Sequence, residues 1–300
     1  MIKKHYMNLK NISKAIIPVA GLGTRMLPVT KEVPKELLPI FDKPLIQHVV
    51  EEAVSVGISE IIFVKRKGKN LVKDYFSKNI ELEKFLKRKK KDEIIKRFPN
   101  HFLKEIKFSY INQKKPLGLG DAILTAKEFI QNESFAVFLP DELLISKDLK
   151  LDFERMIDNH LLNGKSQILV EKISKNLVSQ YGIVKLLKNK LNLKEPTDIL
   201  DIIEKPSIEE APSKNRVVGR YILSAKILES LVNTKPGKGN EIQLTDAIKD
   251  CINKNKLSFQ ATLSNSEIYD CGSLKGFVGA NIALGLKDRE VKNYIKEIFQ

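Results

Sequence analysis

The sequence has little cysteine and no long apolar run, and each absence excludes a class of protein. The 300 residues include only Cys251 and Cys271, which lie far apart in unrelated surroundings. We therefore expect neither a disulfide framework nor a thiolate zinc site. No stretch approaches about 18 consecutive apolar residues, which a membrane-spanning helix needs. Residues 1–11 are short, polar and basic, without the apolar core of a secretory signal. These features predict a protein of the reducing cytoplasm with no membrane partner.

The chain is basic, with 52 Lys and Arg residues against 37 Asp and Glu and a net charge of +15. Such an excess raises the hypothesis of nucleic-acid binding. Lysine is abundant along the whole chain, however. The densest run, residues 87–91 (KRKKK), is followed at once by two acidic residues and contains no aromatic residue for base stacking. We interpret this run as the solvated face of a helix and predict no nucleic-acid partner. The positive charge would still attract anionic substrates such as nucleotides.

Apolar, β-rich runs alternate with helical patterns through the first half of the chain. The pattern predicts strands at 15–19, 60–64, 106–111 and 135–139, and helices at 45–56, 71–77, 80–98 and 120–130. This alternation is typical of an α/β fold, and we predict a doubly wound, mostly parallel, Rossmann-like mixed sheet flanked by helices. The loops after Val19, Ile111 and Leu139 then lie at the carboxyl ends of strands, where ligands bind in such sheets.

The second half has a less regular pattern. Strands are predicted at 167–170, 183–187 and 217–223, with polar strands or a hairpin within 191–203. Helices are predicted at 227–231 and 241–253, and an amphipathic helical tail at 273–299. No internal repeat or low-complexity linker divides the chain.

The most informative segment is residues 20–39, AGLGTRMLPVTKEVPKELLP, which follows the first predicted strand. Gly21 and Gly23 allow the backbone to approach a ligand closely, while Arg25 and Lys35 supply positive charge for phosphate. Two familiar phosphate motifs do not fit. The dinucleotide fingerprint requires a third glycine where Met26 stands, and the Gly-Lys-Ser/Thr ending of the P-loop is absent. The glycines alone would indicate nucleotide binding only weakly.

The longer string resembles a known family. GLGTRMLPVTKEVPKELLP followed by KPLIQHVVEEA looks like the bacterial UTP–glucose-1-phosphate uridylyltransferases. The resemblance continues, in order and spacing, through GKNLVKDYF, QKKPLGLGDAI, FAVFLPDELL, YGIV, IIEKP, KPGKGNEIQLTDAI and YDCGSLKGF. It implies that UTP and glucose 1-phosphate give UDP-glucose and pyrophosphate with the help of Mg²⁺. That reaction requires aligned, neutralised phosphates and no protein nucleophile, and none of the four histidines lies in a recognisable triad.

The resemblance also implies roles for individual residues. The nucleotide would be held by Ala20, Gly21, Gly23, Thr24, Glu36, Gln113 and Gly118, with uracil on the backbone of Ala20 and Gly21 and on the Gln113 amide. Arg25 and Lys35 would bind the triphosphate, and Asp141 and Asp270 would hold the metal. The sugar phosphate would be bound by Gly182, Glu204, Lys205, Val218 and Gly219, with Lys205 on the phosphate.

The resemblance further implies one nucleotidyltransferase domain over residues 1–300. Its nucleotide-binding half would span 12–143 and its sugar-phosphate half 144–300. The carboxyl-terminal helix would mediate a homo-oligomer, either a dimer or a tetramer. Several positions depart from the usual family pattern: Arg66 and Lys67 replace a common Gly-Arg pair, Ser77 an acidic residue, Asp121 a common histidine and Glu142 a common aspartate.

Two alternatives remain open at this point. A sister class uses dTTP to make dTDP-glucose, and uracil differs from thymine by a single methyl group. A non-catalytic paralogue could instead bind a nucleotide sugar and regulate a partner. The chain keeps the charged residues Arg25, Lys35, Asp141 and Lys205, which favours catalysis over regulation.

Overall fold

A computed structural model describes residues 12–148, 150–188 and 191–298. Residues 1–11, interpreted above as lacking a secretory signal, and Phe299, the last residue of the predicted helical tail, lie outside these ranges. The strands are β1 (Lys14–Val19), β2 (Pro39–Ile40), β3 (Lys43–Pro44), β4 (Glu60–Arg66), β5 (Lys107–Gln113), β6 (Phe135–Phe138), β7 (Glu142–Ile145), β8 (Ser166–Lys172), β9 (Gly182–Leu186), β10 (Thr197–Glu204), β11 (Asn215–Leu223), β12 (Phe259–Leu263) and β13 (Glu267–Asp270).

The α-helices are α1 (Leu45–Ser55), α2 (Leu71–Phe76), α3 (Ile80–Arg88), α4 (Asp92–Lys96), α5 (Pro99–Phe102), α6 (Leu119–Thr125), α7 (Lys127–Ile130), α8 (Asp152–Asn163), α9 (Ile227–Asn233), α10 (Leu244–Asn253), α11 (Leu274–Gly285) and α12 (Arg289–Ile298). Short 3₁₀ helices occupy Thr24–Met26, Val29–Lys31, Lys35–Leu37, Lys175–Gln180 and Lys238–Asn240. Within the described ranges, no helix is both long and apolar enough to cross a bilayer.

One sheet of nine described strands organises the molecule, in the order β5-β4-β1-β6-β11-β8-β12-β10-β9. β1 pairs in parallel with β4 and β6, and β4 with β5, so the amino-terminal strands share one direction. β11 is antiparallel to both β6 and β8, and β10 is antiparallel to both β12 and β9. Strands β10 and β11 therefore run against the other seven. The predicted α/β fold with a mixed sheet is confirmed.

Helices cover both faces of the sheet because alternate residues of each strand point to opposite sides. In β1, Ile16 joins a core cluster with α6, α9 and α10, whereas Ile17 joins a second cluster with α1, α2 and α8. The central strands are buried on both faces, which explains why they read as continuous apolar runs. The two clusters hold the strand ends rigidly, and the site is built on those ends.

Several elements differ from the sequence prediction. The helix expected over 80–98 is divided into α3 and α4, because Lys90 adopts a positive φ of 55° and ends the first helix. The polar stretch 191–203 contributes only β10, which pairs with β9 on one side and β12 on the other. The helix expected from residue 241 begins at Leu244, since Gly237 N–H bonds the carbonyl of Glu241 and closes a loop before it. The helical tail is divided into α11 and α12.

Candidate active site

A cleft of about 830 Å³ opens at the carboxyl ends of β1, β5 and β6. This is the edge of the sheet where the sequence predicted ligand binding. All but one of the predicted site residues line the cleft: Ala20, Gly21, Gly23, Thr24, Arg25, Lys35, Glu36, Gln113, Gly118, Asp141, Gly182, Glu204, Lys205, Gly219 and Asp270.

Val218 is the exception, and its assignment to the sugar pocket stays a prediction that the position of its side chain does not support. Its side chain is fully buried in the core cluster on the opposite face, with α1 and α8. Neighbouring residues of a strand point to opposite faces, so Val217 and Gly219 face the cleft when Val218 does not. At Gly219 a Cβ would lie 2.4 Å from the Cβ of Leu139, so only glycine fits there.

Two cations and two carboxylates form one cluster in the cleft. The Nζ of Lys35 lies 2.6 Å from Oδ2 of Asp141, and Nη1 of Arg25 lies 2.9 Å from Oδ2 of Asp270. A longer contact of 4.0 Å joins Arg25 to Asp141. The cluster gathers three distant segments of the chain. A cluster of two cations and two carboxylates can bind phosphate groups through the cations and a metal ion through the carboxylates.

Lys35 and Asp141 stabilise each other as ions. Burial opposes the charge of Lys35, but the nearby Asp141 carboxylate outweighs it, so the pKa of Lys35 is raised above its usual value. Burial likewise opposes the charge of Asp141, and Lys35 again outweighs it, so the pKa of Asp141 is lowered. Both groups therefore stay charged at neutral pH, and each depends on the other.

The loop that carries Arg25 and Lys35 is held in shape by its own short contacts. Gly23 adopts a positive φ of 64°, which a residue with a side chain would adopt at a cost. Its carbonyl accepts a hydrogen bond of 2.7 Å from the Thr30 hydroxyl, which ties the start of the loop to its middle. The Cε of Lys35 lies 3.7 Å from the position of a Cβ on Gly21, so the lysine stem packs on the glycine backbone.

Asp270 reaches the cluster through a strand pair that the sequence did not predict. β7 and β13 form a two-stranded antiparallel sheet in which Asp270 is opposite Glu142. The N–H of Cys271 donates to the carbonyl of Asp141, which brings the two aspartates to neighbouring backbone positions. Cys271 and Cys251 are both buried free thiols, as expected for a chain without a disulfide framework.

Asp141 and Asp270 approach the same point beside Gly272, and Arg25 lies between them. A Cβ on Gly272 would lie 2.6 Å from Nη2 of Arg25 and 3.0 Å from both Oδ2 of Asp141 and Oδ1 of Asp270, so a side chain there would crowd all three groups. Within the described part of the chain, no group of three or more His, Cys, Asp or Glu residues could hold a metal. Two carboxylates completed by phosphate oxygens match the oxygen ligands that Mg²⁺ prefers.

Glu36 is buried beside the cluster without a partner. Its side chain is 1% exposed, and neither carboxylate oxygen accepts a hydrogen bond within the described residues. Burial raises its pKa from 4.5 to about 7, although the neighbouring Lys35 opposes the rise. A buried carboxylate without donors is costly. A ligand that brings hydroxyl or N–H donors into the cleft would supply what Glu36 lacks.

On the side of the cleft formed by Glu204 and Lys205, the structure adds Thr245, which the sequence analysis did not predict as a site residue. The Thr245 hydroxyl donates to Oε2 of Glu204 at 3.1 Å, and Nζ of Lys205 lies 3.4 Å from Oε1. A Cβ on Gly182 would lie 3.2 Å from the same Oε2, so Gly182 leaves room for this carboxylate. Thr245 belongs to the EIQLTDA motif, and that motif was the available signal.

A buried ion network supports the strand ends behind the cleft. The guanidinium of Arg216 donates to both Glu142 and Glu171, and it stacks over the Tyr181 ring at 4.3 Å. Glu142 also accepts from the N–H of Gly219. Glu142, which stands where the family commonly has an aspartate, therefore keeps a carboxylate at this position. Its hydrogen bonds to Arg216 and Gly219 hold the backbone next to Asp141.

Comparisons with known proteins agree with this geometry. Residues 14–285 match the family model described as nucleotidyl transferase. A UTP–glucose-1-phosphate uridylyltransferase of Haemophilus influenzae is 42% identical over 95% of this chain and 98% of its own length. A UTP-bound UGPase from Acinetobacter baumannii is 39% identical, with a TM-score of 0.88 over 96% of this chain and 98% of that one.

A second solved structure, a UDP-glucose pyrophosphorylase complexed with UDP-glucose, is 39% identical, with a TM-score of 0.81 over 92% of this chain and 100% of that one. The similarity in sequence covers nearly the full length of each of these proteins, and so does the similarity in fold to the two solved structures. The chain therefore belongs to the nucleotidyl transferase family, among the UTP–glucose-1-phosphate uridylyltransferases.

Proposed function

We propose that this chain transfers the uridylyl group of UTP to glucose 1-phosphate, giving UDP-glucose and pyrophosphate. The observation that carries the proposal is the single cleft that joins the Arg25, Lys35, Asp141 and Asp270 cluster to the wall of Glu204 and Lys205. The names of the relatives support it, since they describe this activity. The solved structures with UTP and with UDP-glucose support it as well.

The reaction is an in-line displacement without a covalent enzyme intermediate. A phosphate oxygen of glucose 1-phosphate attacks the α-phosphorus of UTP, and a new P–O bond forms. The bond from that phosphorus to the oxygen bridging the α- and β-phosphates breaks, and pyrophosphate leaves with the electron pair. Arg25 and Lys35 align the triphosphate and neutralise the charge that grows on its oxygens, which accounts for most of the catalysis in such transfers.

The remaining residues fall into two sets around the displacement. Residues 12–143 form the Rossmann-like nucleotide-binding half, in which the backbone of Ala20 and Gly21 and the Gln113 amide hold uracil. Gly23, Thr24, Glu36 and Gly118 complete this half. Residues 144–300 form the sugar-phosphate half, where Glu204 accepts hydrogen bonds from glucose hydroxyls and Lys205 binds the phosphate. Gly182 and Gly219 line the cleft and would meet the sugar with their backbone.

Asp141 and Asp270 would hold Mg²⁺, because they are two carboxylates that line the cleft and approach each other beside Gly272. The bound ion would neutralise negative charge on the phosphate oxygens. The cytoplasm, where the two thiols stay reduced, is the proposed location.

Turnover by the pure protein tests the proposal. UTP, dTTP, CTP and ATP are each paired with glucose 1-phosphate, and pyrophosphate release is measured with Mg²⁺ and with excess chelator. We expect release from UTP and glucose 1-phosphate with Mg²⁺ and none with chelator. Release from dTTP but not UTP would make the chain a thymidylyltransferase. UTP binding without turnover of any pair would make it a regulatory paralogue.

Lys205→Ala should raise the KM for glucose 1-phosphate about tenfold or more, because it removes a charged partner of the sugar phosphate. The KM for UTP should change less than about twofold. Lys205 is 44% exposed on its side chain, so its removal leaves no buried gap. Initial rates over both substrate concentrations measure the two values, and Lys214→Ala, outside the cleft, is the control. Equal rises in both KM values would contradict the assigned role.

Self-association remains a prediction, and one surface favours it. Leu274, Val278 and Ile282 in α11 and Leu286, which follows the helix directly, recur at every fourth position and are between 42 and 66% exposed. Such a stripe can pair with the same stripe of a second copy. Light scattering should give a dimer or tetramer mass for the native chain. Ile282→Glu should give the 34.1 kDa monomer, and Val232→Glu, at an exposed apolar position in α9, should keep the native mass. A monomeric native chain would remove this prediction.

A further inference from the structure

The Gln113 amide is held in one orientation by two neighbours that can only accept hydrogen bonds. Gln113 ends β5 and is 4% exposed. Its Nε2 donates to Oδ2 of Asp121 at 2.7 Å and to the carbonyl of Gly118 at 3.3 Å. A carboxylate and a carbonyl have no hydrogen to give, so the amide nitrogen must face them. The reverse orientation would place two oxygens of like partial charge against Oε1.

The amide oxygen is left for the cleft. Within the described residues, no group donates a hydrogen bond to Oε1 of Gln113. This oxygen still has contact with solvent, unlike the buried unpaired oxygens of Glu36. Gln113 lines the cleft together with Gly118 and Ala20. Both hydrogens of Nε2 are used by Asp121 and Gly118. The residue therefore presents to a base an acceptor only, although glutamine can in general donate as well.

We propose that Asp121 determines base specificity by fixing the Gln113 amide so that its oxygen selects bases with an N–H at ring position 3. This inference rests on the proposed function, in which the base lies against Gln113. Uracil carries a hydrogen on N3 and can donate to Oε1, whereas the N3 of cytosine is an acceptor and would face that oxygen without a hydrogen. Asp121 does not touch the base and acts as a positioning residue.

The proposal predicts an unusual pattern of selectivity. UTP should be favoured strongly over CTP, because a site that leaves a buried acceptor unpaired rejects the wrong base. The same contact cannot separate UTP from dTTP, since thymine has the same N3–H and differs only by a methyl group elsewhere on the ring. Asp121 therefore controls one of these ratios and leaves the other unaffected.

Asp121→Asn tests this at nearly constant shape. The asparagine amide can turn its nitrogen toward Oε1 of Gln113, which lets Nε2 swing to the cleft and donate to cytosine. We expect the kcat/KM ratio of UTP to CTP to fall at least about tenfold, while the UTP to dTTP ratio stays within about twofold. Glu128→Gln, in α7, removes an exposed carboxylate of the same region and should leave both ratios unchanged. Equal changes in both ratios for Asp121→Asn, or no change in either, would overturn the proposal.

A second measurement uses the native chain and 3-methyl-UTP, whose N3 carries a methyl group in place of hydrogen. We expect kcat/KM for 3-methyl-UTP at least about tenfold below that for UTP, and this comparison decides the matter if Asp121→Asn fails to fold. Equal use of UTP and 3-methyl-UTP would contradict the proposed hydrogen bond from the base N3–H to Oε1 of Gln113, while the proposed uridylyl transfer would still stand. Failure of the native chain to use UTP at all would remove the proposed function, and this inference with it.

Discussion

Replacing Lys35 by methionine should lower kcat/KM for UTP about a thousandfold. Lys35 lies 2.6 Å from Asp141 in the cleft and stays charged, since that carboxylate raises its pKa despite burial. Preorganised charges of this kind contribute roughly 10²- to 10⁵-fold to phosphoryl and acyl transfers. Methionine keeps the length of the stem that packs on Gly21 and removes only the ammonium group. Pyrophosphate release under saturating glucose 1-phosphate measures the change.

The same substitution should also destabilise the fold, because Asp141 would lose its close partner. Removing one member of a buried ion pair costs roughly 3 to 5 kcal/mol, most of it from the charge left behind. Arg25, at 4.0 Å, would compensate only in part. The double variant Lys35→Met/Asp141→Asn removes that charge and should regain most of the lost stability while remaining inactive. Urea unfolding of the native, single and double variants gives the coupling free energy.

These two readouts separate catalysis from folding. Single-variant activity is compared at temperatures where circular dichroism shows the folded state. A Lys35→Met protein that is folded and keeps more than about a tenth of native kcat/KM would show that its charge is not needed for the displacement. A double variant no more stable than Lys35→Met would show that the pair is not coupled as its geometry indicates.

Local patterns explain what the sequence predicted well. The apolar run of β1 and the glycine loop after it are contiguous, so hydrophobic periodicity and turn chemistry were enough to place Arg25 and Lys35 at a strand end. Likewise, Asp141 follows an apolar strand directly. Because parallel strands share one edge for their carboxyl ends, the convergence of these loops could be predicted before any contact was known.

Long-range pairing explains what the sequence did not predict. Asp270 could be assigned only by resemblance, because the β7–β13 pair that brings it to Asp141 joins two short strands far apart in the chain. The resemblance located the strand of Val218 but not its side-chain alternation, so it could not show that this side chain faces the core and not the cleft. The contact of Asp121 with Gln113 depends on how α6 packs after β5, and the hydrophobic periodicity of the sequence does not predict that packing.

Glu36→Gln should make the protein more stable relative to the native chain as pH rises. Glu36 has a pKa of about 7 in the folded protein against 4.5 ordinarily, because burial raises it more than Lys35 and the backbone lower it. The folded state therefore holds a proton that the unfolded state has released. Stability from this group is fully present below pH 4.5 and is lost as pH rises through 7. One pKa unit corresponds to about 1.4 kcal/mol, so the native chain loses roughly 2 to 3 kcal/mol between pH 5 and pH 8.

Glutamine has no charge to lose and removes this pH dependence. The free energy of unfolding from urea titrations at pH 5, 6, 7 and 8 should therefore rise for Glu36→Gln relative to the native chain by that amount, with most of the gain complete by pH 8. Glu128→Gln, at an exposed position, should follow the native curve. Curves for native and Glu36→Gln protein that stay parallel from pH 5 to 8 would show that Glu36 does not titrate as its burial indicates.

The retention of a costly carboxylate has a functional explanation that the same variant tests. Glu36 lines the cleft, and hydroxyl or N–H groups of a bound nucleotide would donate to its empty oxygens and relieve the cost of burial. UTP should therefore raise the melting temperature of the native chain more than that of Glu36→Gln at pH 8, and the difference should shrink at pH 5, where Glu36 is protonated in the free protein. A UTP-induced shift that is the same in both proteins at both pH values would show that the nucleotide does not reach Glu36.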